Sequence, residues 1–264
     1  MLIQYVSDIH LEFHDKHNKG ALQPDMFVKP VAPYLALVGD IGIPELKAYE
    51  TFLHWCSQHW KHVFLVAGNH EFYNVRCPVK TDMATKKDQI KKICSHLPNV
   101  HFLDCSSYYL EDENIRVLGC TLWSDIPDCI KEKVITYMND ARQIQQVKDV
   151  PFTPSAFSEV HKQEKQWLNQ EIHQCELTNE KCLVLTHYLP SFSLIHEKYE
   201  GHFLNACFAS DCDDLFRPPV VAWIAGHTHT GMKKFIHGIP CVVNPYGYPT
   251  EQVETRDREA TLQI

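Results

Sequence analysis

Five short apolar runs recur along the chain, at Leu2–Val6, Tyr34–Val38, 63–67, 182–185 and Val220–Ala225. They are too short for helices and show no helical period, so they read as strands covered on both faces. Weaker strand candidates lie at 116–120 and 240–243. Between the early runs the period changes. In 44–60, Tyr49, Phe52, Leu53, Cys56 and Trp60 fall at helical spacing, and Pro44 suits a first helical turn. In 153–175, Thr153 can cap a helix that opens on Pro154. Phe157, Val160, Trp167, Leu168 and Ile172 then share one face. The stretch 79–97 predicts a third helix.

Strands alternating with helices predict an α/β protein with largely parallel pairing early in the chain. From residue 220 onward the strands crowd around "GHTHTG", "HGIP" and "NPYGYP", which favours antiparallel hairpins. There are no repeats and no linker-like stretch, so 1–264 reads as one domain. Residues 121–157 are of mixed polarity and form a cap-like excursion over one face.

Composition narrows the function classes. The 264 residues are 44% apolar, as in ordinary globular proteins. No apolar run approaches the roughly 20 residues that span a bilayer. The opening "MLIQYVSDIH" lacks the basic-then-apolar layout of a signal peptide. A cytoplasmic location without membrane contact is therefore expected. The eleven cysteines contain no Cys-x-x-Cys and suit reduced thiols. A net charge of −8 argues against bulk nucleic-acid binding. The one basic cluster, Lys86, Lys87, Lys91 and Lys92, reads as a solvated helix face.

Candidate chemistry sits where the apolar runs stop. The five runs lead into Ser7-Asp8-Ile9-His10, Gly39-Asp40, Gly68-Asn69-His70-Glu71, Thr186-His187 and Gly226-His227-Thr228-His229. In α/β sheets functional residues gather at the carboxyl ends of strands, so these groups should converge. Asp, His and Asn are nitrogen and oxygen ligands for borderline divalent metals. Glycine before Asp40, Asn69 and His227 lets the backbone turn tightly. Asp8-x-His10 and His227-x-His229 are expected to aim two side chains to one side of an extended segment. The candidate ligands exceed what one ion needs; two ions sharing a carboxylate would use them all.

Taken in order, these motifs resemble the calcineurin-like metallophosphoesterases over essentially the whole chain. The resemblance implies two mixed β-sheets packed as a sandwich flanked by helices. It implies one metal on Asp8, His10, Asp40 and His229, and a second on Asp40, Asn69, His187 and His227, with Asp40 bridging. The two divalent ions would be manganese, iron or zinc. They would hold a bridging hydroxide for attack on a phosphate mono- or diester, a small molecule or nucleotide. His70 would protonate the leaving oxygen. Asp40, Asn69 and His70 are thus the implied catalytic residues.

Two departures set the chain apart from the family's protein Ser/Thr phosphatases. Ile43 stands where those enzymes carry the carboxylate that orients the donor histidine, and Ala67 stands in place of an arginine. "SDIHLEF" and "NPYGYPTE" instead resemble the stand-alone, small-substrate branch. Glu45 and Glu71 are then the candidate partners for His70. Candidate substrate contacts are Asn69, His70 and Arg142; Asn139, Tyr73, Tyr188, Tyr246 and Tyr248 could also line the site. For Arg142 the competing reading is a surface salt bridge with Asp140. A nuclease and a metal-free scaffold are the alternatives; complete ligand positions weigh against the scaffold, and net charge against the nuclease.

Overall fold

The computed structural model describes residues 1–14, 22–75 and 79–264. In chain order the elements are β1 (Leu2–Val6), α1 (Leu11–His14), β2 (Tyr34–Val38), α2 (Lys47–His59), β3 (His62–Val66), α3 (Met83–Ser95) and β4 (Val100–Phe102). Then come β5 (Ser106–Leu110), β6 (Ile115–Cys120), α4 (Lys131–Tyr137), α5 (Asp140–Gln143), β7 (Gln145–Val147) and β8 (Val150–Pro151). The chain closes with α6 (Pro154–Thr178), β9 (Lys181–Thr186), β10 (Val220–Ala225), β11 (Met232–Ile236), β12 (Ile239–Val243) and β13 (Thr261–Gln263).

Two mixed sheets form a sandwich flanked by helices. One has the order β13-β1-β2-β3-β4, with β13 antiparallel on an otherwise parallel set. The other runs β11-β12-β10-β9-β6-β5; its four central strands are parallel and its two edges antiparallel. The apolar runs lack alternation because both faces of each sheet are covered. Along β2, Tyr34, Ala36 and Val38 join the layer between the sheets, with Phe64, Val117, Leu185 and Ile224. Leu35 and Leu37 face the opposite way, onto Tyr49, Phe52 and Leu53 of α2. Leu168 and Ile172 of α6 cover Val184 and Trp223 on the outside of the second sheet.

The cap on α6 is formed as expected, with Thr153 accepting from the Ala156 N–H. Other expectations need correction. Pro44 precedes α2 rather than opening it, because Ile43–Leu46 makes a separate turn in which the Leu46 N–H bonds the Ile43 carbonyl. Parallel pairing is not confined to the early chain. The hairpin at His237-Gly238 is antiparallel, but β12 then pairs parallel with β10. The basic cluster is not one solvated face. Lys86 is 0% exposed, its Nζ donating to the Tyr73 carbonyl and lying 2.5 Å from Glu45. Lys87 is paired with Asp104 at 2.6 Å, and only Lys91 and Lys92 are exposed. The ten described cysteines are free thiols; Cys77 lies outside the described residues. Among these residues, no helix is long and apolar enough to cross a membrane.

The buried stripe of α6 also carries the polar residues Ser158, His161 and Glu164. His161 Nδ1 lies 3.1 and 3.2 Å from the carbonyls of Leu122 and Trp123. Glu164 keeps one oxygen without a partner. Burial pushes its carboxyl up to about 8, against the pull of Lys87. The folded protein therefore holds a proton here that the unfolded chain releases near the ordinary carboxylate value. Stability from this group is complete below that value and is lost as pH rises toward 8. Glu164→Gln should remove that loss: urea unfolding at pH 5 and pH 8 should show a shallower decline than the parent, by up to about 1.4 kcal/mol per pH unit. Parallel declines in both proteins would contradict it.

Candidate metal centre

The strand ends meet at one end of the sandwich, through a shared backbone device. Asp8 and His10 after β1, Asp40 after β2, and His227 and His229 after β10 all adopt left-handed backbone, with φ between 45° and 73°. This corrects the extended geometry expected for Asp8-x-His10 and His227-x-His229. Each such residue costs on the order of 1 kcal/mol or more, so five at one place must be held by their surroundings.

Glu71 supplies much of that hold. Its carboxylate accepts the N–H groups of Gly68 (2.7 Å), Ile41 (2.8 Å), Asp40 (2.9 Å) and Gly42 (3.4 Å). It thereby ties the ends of β2 and β3 together. Asp40 Oδ1 accepts the His70 N–H at 2.8 Å. The Asp8 carboxylate accepts the His227 N–H at 3.0 and 3.1 Å, and also the Ser7 hydroxyl. Packing leaves no room for a side chain at two turns. A Cβ on Gly68 would overlap the Asp40 carboxylate, and one on Gly39, itself at φ 85°, would overlap the His187 ring.

Two groups of acceptors result. In the first, Asp8, His10 and His229 present ligand atoms within 4.8 Å of one another. His229 Nδ1 is held by Glu251 at 2.6 Å and His10 Nδ1 by Glu12 at 3.3 Å. Each Nε2 is thus turned inward, and the two lie 3.0 Å apart. In the second, Asp40, His187 and His227 converge in the same way. His187 Nδ1 is fixed by the Val38 carbonyl at 2.9 Å. Its Nε2 faces Asn69 Oδ1 (3.1 Å), His227 Nδ1 (3.2 Å) and Asp40 Oδ1 (3.4 Å). Asp40 lies between the groups, its Oδ2 3.8 Å from His10 Nε2.

Acceptors facing acceptors at such distances require positive charge between them. The titration shifts report that demand. Burial alone would discharge His187 and His229. Asp40 raises the first to about 9, and Asp8 with Glu251 raises the second to about 10. Asp8 is held down at about 2 by His229 despite its burial. His227 goes the other way, down to about 3 through burial and the neighbouring His187, and its Nε2 has no partner. Protons on imidazoles satisfy only some of these atoms. A divalent cation in each group suits this all-nitrogen-and-oxygen set.

His70 stands beside both groups. Its Nδ1 lies 2.8 Å from Glu12 Oε1, the same oxygen that holds His10. Its Nε2 lies 3.3 Å from the Tyr248 hydroxyl and 4.0 Å from Asp40 Oδ2. Burial favours the neutral ring, but Asp40 and Glu12 outweigh it and raise His70 to about 9. The partner of His70 is therefore neither Glu45, which is bound to Lys86, nor Glu71, which is spent on main-chain N–H groups.

The remaining expected contacts divide. Tyr248 touches His70. Tyr188 is 0% exposed. Tyr246 is buried under the Arg256 guanidinium, 3.9 Å from its ring centre. Arg142 is exposed, donating to the Thr136 carbonyl (2.9 Å) and Asn139 Oδ1 (2.7 Å). Its salt bridge to Asp140 is not formed. Asp140 is instead buried, accepting from Asn69 Nδ2 and from the Tyr73 hydroxyl, both at 2.7 Å. Sequence reasoning missed Glu12, Asp140 and Glu251 as supports of the site. Both Glu12 and Glu251 left a trace, as members of "SDIHLEF" and "NPYGYPTE", but nothing in either stretch assigned them an imidazole.

Comparison with known proteins agrees with this fold. The family described as calcineurin-like phosphoesterase matches residues 1–231. An uncharacterized protein of Acanthamoeba polyphaga mimivirus is 30% identical over 262 residues, covering 95% of this chain and 92% of its own. The crystal structure of a phosphopantetheinyl hydrolase from Mycobacterium tuberculosis superposes with a TM-score of 0.73 at 16% identity, covering 99% of this chain and 95% of its own. A dimetal phosphatase from Danio rerio superposes at 0.58, also at 16% identity, over 97% and 90%. At these identities the two structures show a shared fold.

The closeness of Gly68 to Asp40 gives a direct test of the packing. Gly68→Ala should lower stability by about 1–3 kcal/mol in chemical denaturation, the usual cost of forcing atoms into a filled interior. Unchanged stability would mean that the strand ends can move apart.

Proposed function

The chain belongs to the calcineurin-like phosphoesterase family, and on that premise we propose that it is a dinuclear-metal-dependent hydrolase of a small phosphate mono- or diester. The observation that carries this reading is the pair of buried acceptor groups on either side of Asp40. One ion would be held by Asp8, His10, Asp40 and His229, the other by Asp40, Asn69, His187 and His227. Such ions, when bound, ionise water near neutral pH and offset the charge of a phosphate.

The chain's own residues supply the rest. His70 is the proposed donor to the leaving oxygen. Its Nδ1 is anchored on Glu12, which leaves Nε2 as the atom that carries the moving proton. The Glu12 carboxylate favours the imidazolium, the form that can donate. Glu12 thus takes the part that Ile43 cannot play, reaching His70 from α1. Tyr248 borders the same nitrogen and would confine the leaving group. Arg142 remains the proposed grip on a phosphate oxygen, by turning its guanidinium from Thr136 and Asn139 toward the substrate.

Chelation should abolish hydrolysis and manganese should restore it. His70→Gln should lower turnover of an alkyl phosphate about 10²–10⁴-fold while sparing p-nitrophenyl phosphate, whose leaving group needs no proton. Glu12→Gln should repeat that pattern more weakly. Equal losses on both esters would remove His70 from the donor role. Metal-free protein with no turnover of any ester after manganese addition would refute the enzyme reading. A substrate panel should include mono- and diesters, nucleotides and a phosphopantetheinyl ester. Arg142→Ala should raise KM on the preferred ester with little change in kcat; an unaltered KM would exclude the contact.

A further inference from the structure

Asn69 is a side chain with two faces, and the choice between them decides what the second acceptor group can bind. With Oδ1 inward, the amide adds an acceptor beside His187 Nε2, at 3.1 Å. Rotated by half a turn, it would present its NH₂ to that same nitrogen. Asn69 would then donate a hydrogen bond to His187 and occupy the lone pair that a cation needs. When His187 Nε2 presents a lone pair, as a cation requires, the rotated form is the more comfortable one for this pair. Something must therefore hold the amide the other way.

The opposite side of Asn69 shows what does. Its Nδ2 donates to Asp140 Oδ1 at 2.7 Å and to the Tyr73 hydroxyl at 3.2 Å. The Tyr73 hydroxyl in turn donates to the same Asp140 oxygen, at 2.7 Å. The three groups close a ring, all of them buried. A carboxylate only accepts, so it can face the NH₂ end of the amide but repels the oxygen end. Asp140 does not come from the sheets. It opens α5, in the excursion that follows α4. That segment is fastened to the 69–74 turn a second time, where the N–H and Nδ2 of Asn74 both donate to the Gln143 carbonyl, at 3.2 and 3.1 Å.

We propose that Asp140, with Tyr73, is a positioning residue for the second metal: it fixes the Asn69 amide with its oxygen toward the ion and couples the 131–143 excursion to occupancy of that position. The inference rests on the dinuclear reading above and adds to it a selective effect on one ion of the two. The Asp140 carboxylate is not among the proposed ligands and acts through the Asn69 amide.

The test is manganese binding to metal-free protein, with free manganese counted by its electron paramagnetic resonance signal. The parent should bind two equivalents. Asp140→Ala should keep the first and weaken the second about 10–100-fold, the usual effect of removing a group that orients a ligand. Asp140→Asn retains an acceptor for Asn69 Nδ2 and should recover most of that loss. A general structural defect would weaken both equivalents and would not be rescued. Tyr73→Phe, a milder change, should weaken the second equivalent in the same direction and keeps the test open if Asp140→Ala does not fold. Two equivalents bound as tightly in folded Asp140→Ala, or in Tyr73→Phe where the alanine variant does not fold, would overturn the role of Asp140. Absence of binding by the parent would overturn the dinuclear reading instead.

Discussion

Everything at the site depends on keeping mutually repelling acceptors at close range. Two carboxylates, four imidazoles and an amide oxygen are brought to within a few ångströms of each other in a buried pocket of the sandwich. No hydrophobic gain rewards that placement. It persists because the main chain over-determines it. Strand ends of both sheets reach the same point, and left-handed turns swing the side chains inward. The Glu71 carboxylate collects N–H groups from the turns after β2 and β3. The local strain is offset by the surrounding layers, since each strand that delivers a ligand is covered on both faces by apolar residues.

The division of labour among the acidic groups follows from what each touches. Asp8 and Asp40 face the acceptor groups. Glu71 is as buried as they are, yet it faces backwards into main-chain N–H groups. Glu12 and Glu251 stand one layer out, fixing which imidazole nitrogen points inward on His10, His70 and His229. Asp140 does the corresponding work for an amide. The supporting carboxylates come from different places: α1, the tail before β13, and α5. The supporting groups are therefore gathered from the whole length of the chain, although the candidate ligands follow only five strands.

Much of this was legible in the sequence. The five apolar runs marked the strands that matter, because a strand buried on both faces has to be apolar throughout. The polar groups that follow them could be read as ligands because Asp, Asn and His at successive strand ends have few other uses. Gly39 and Gly68 were legible as tight turns. The edge strands β4, β5, β11 and β13 were not, since a partly exposed strand carries polar residues and loses its signal. Lys86 was misread for a related reason: a helix pattern shows which residues are charged, not which one finds a carboxylate beneath the helix.

Residue order alone determined the fold class, the candidate ligand types and the departure at Ile43, which removes the acid that the resemblance implies beside His70. Tertiary structure decided which acid took that place. It chose Glu12 over Glu45 and Glu71, and it turned Asp140 away from Arg142 toward Asn69. Those choices turn on direction. A carboxylate reaches only a few ångströms from its backbone, and whether it points at an imidazole, an amide or an N–H is set by left-handed turns and packing contacts between segments far apart in sequence. Periodicity and spacing carry no information about that meeting.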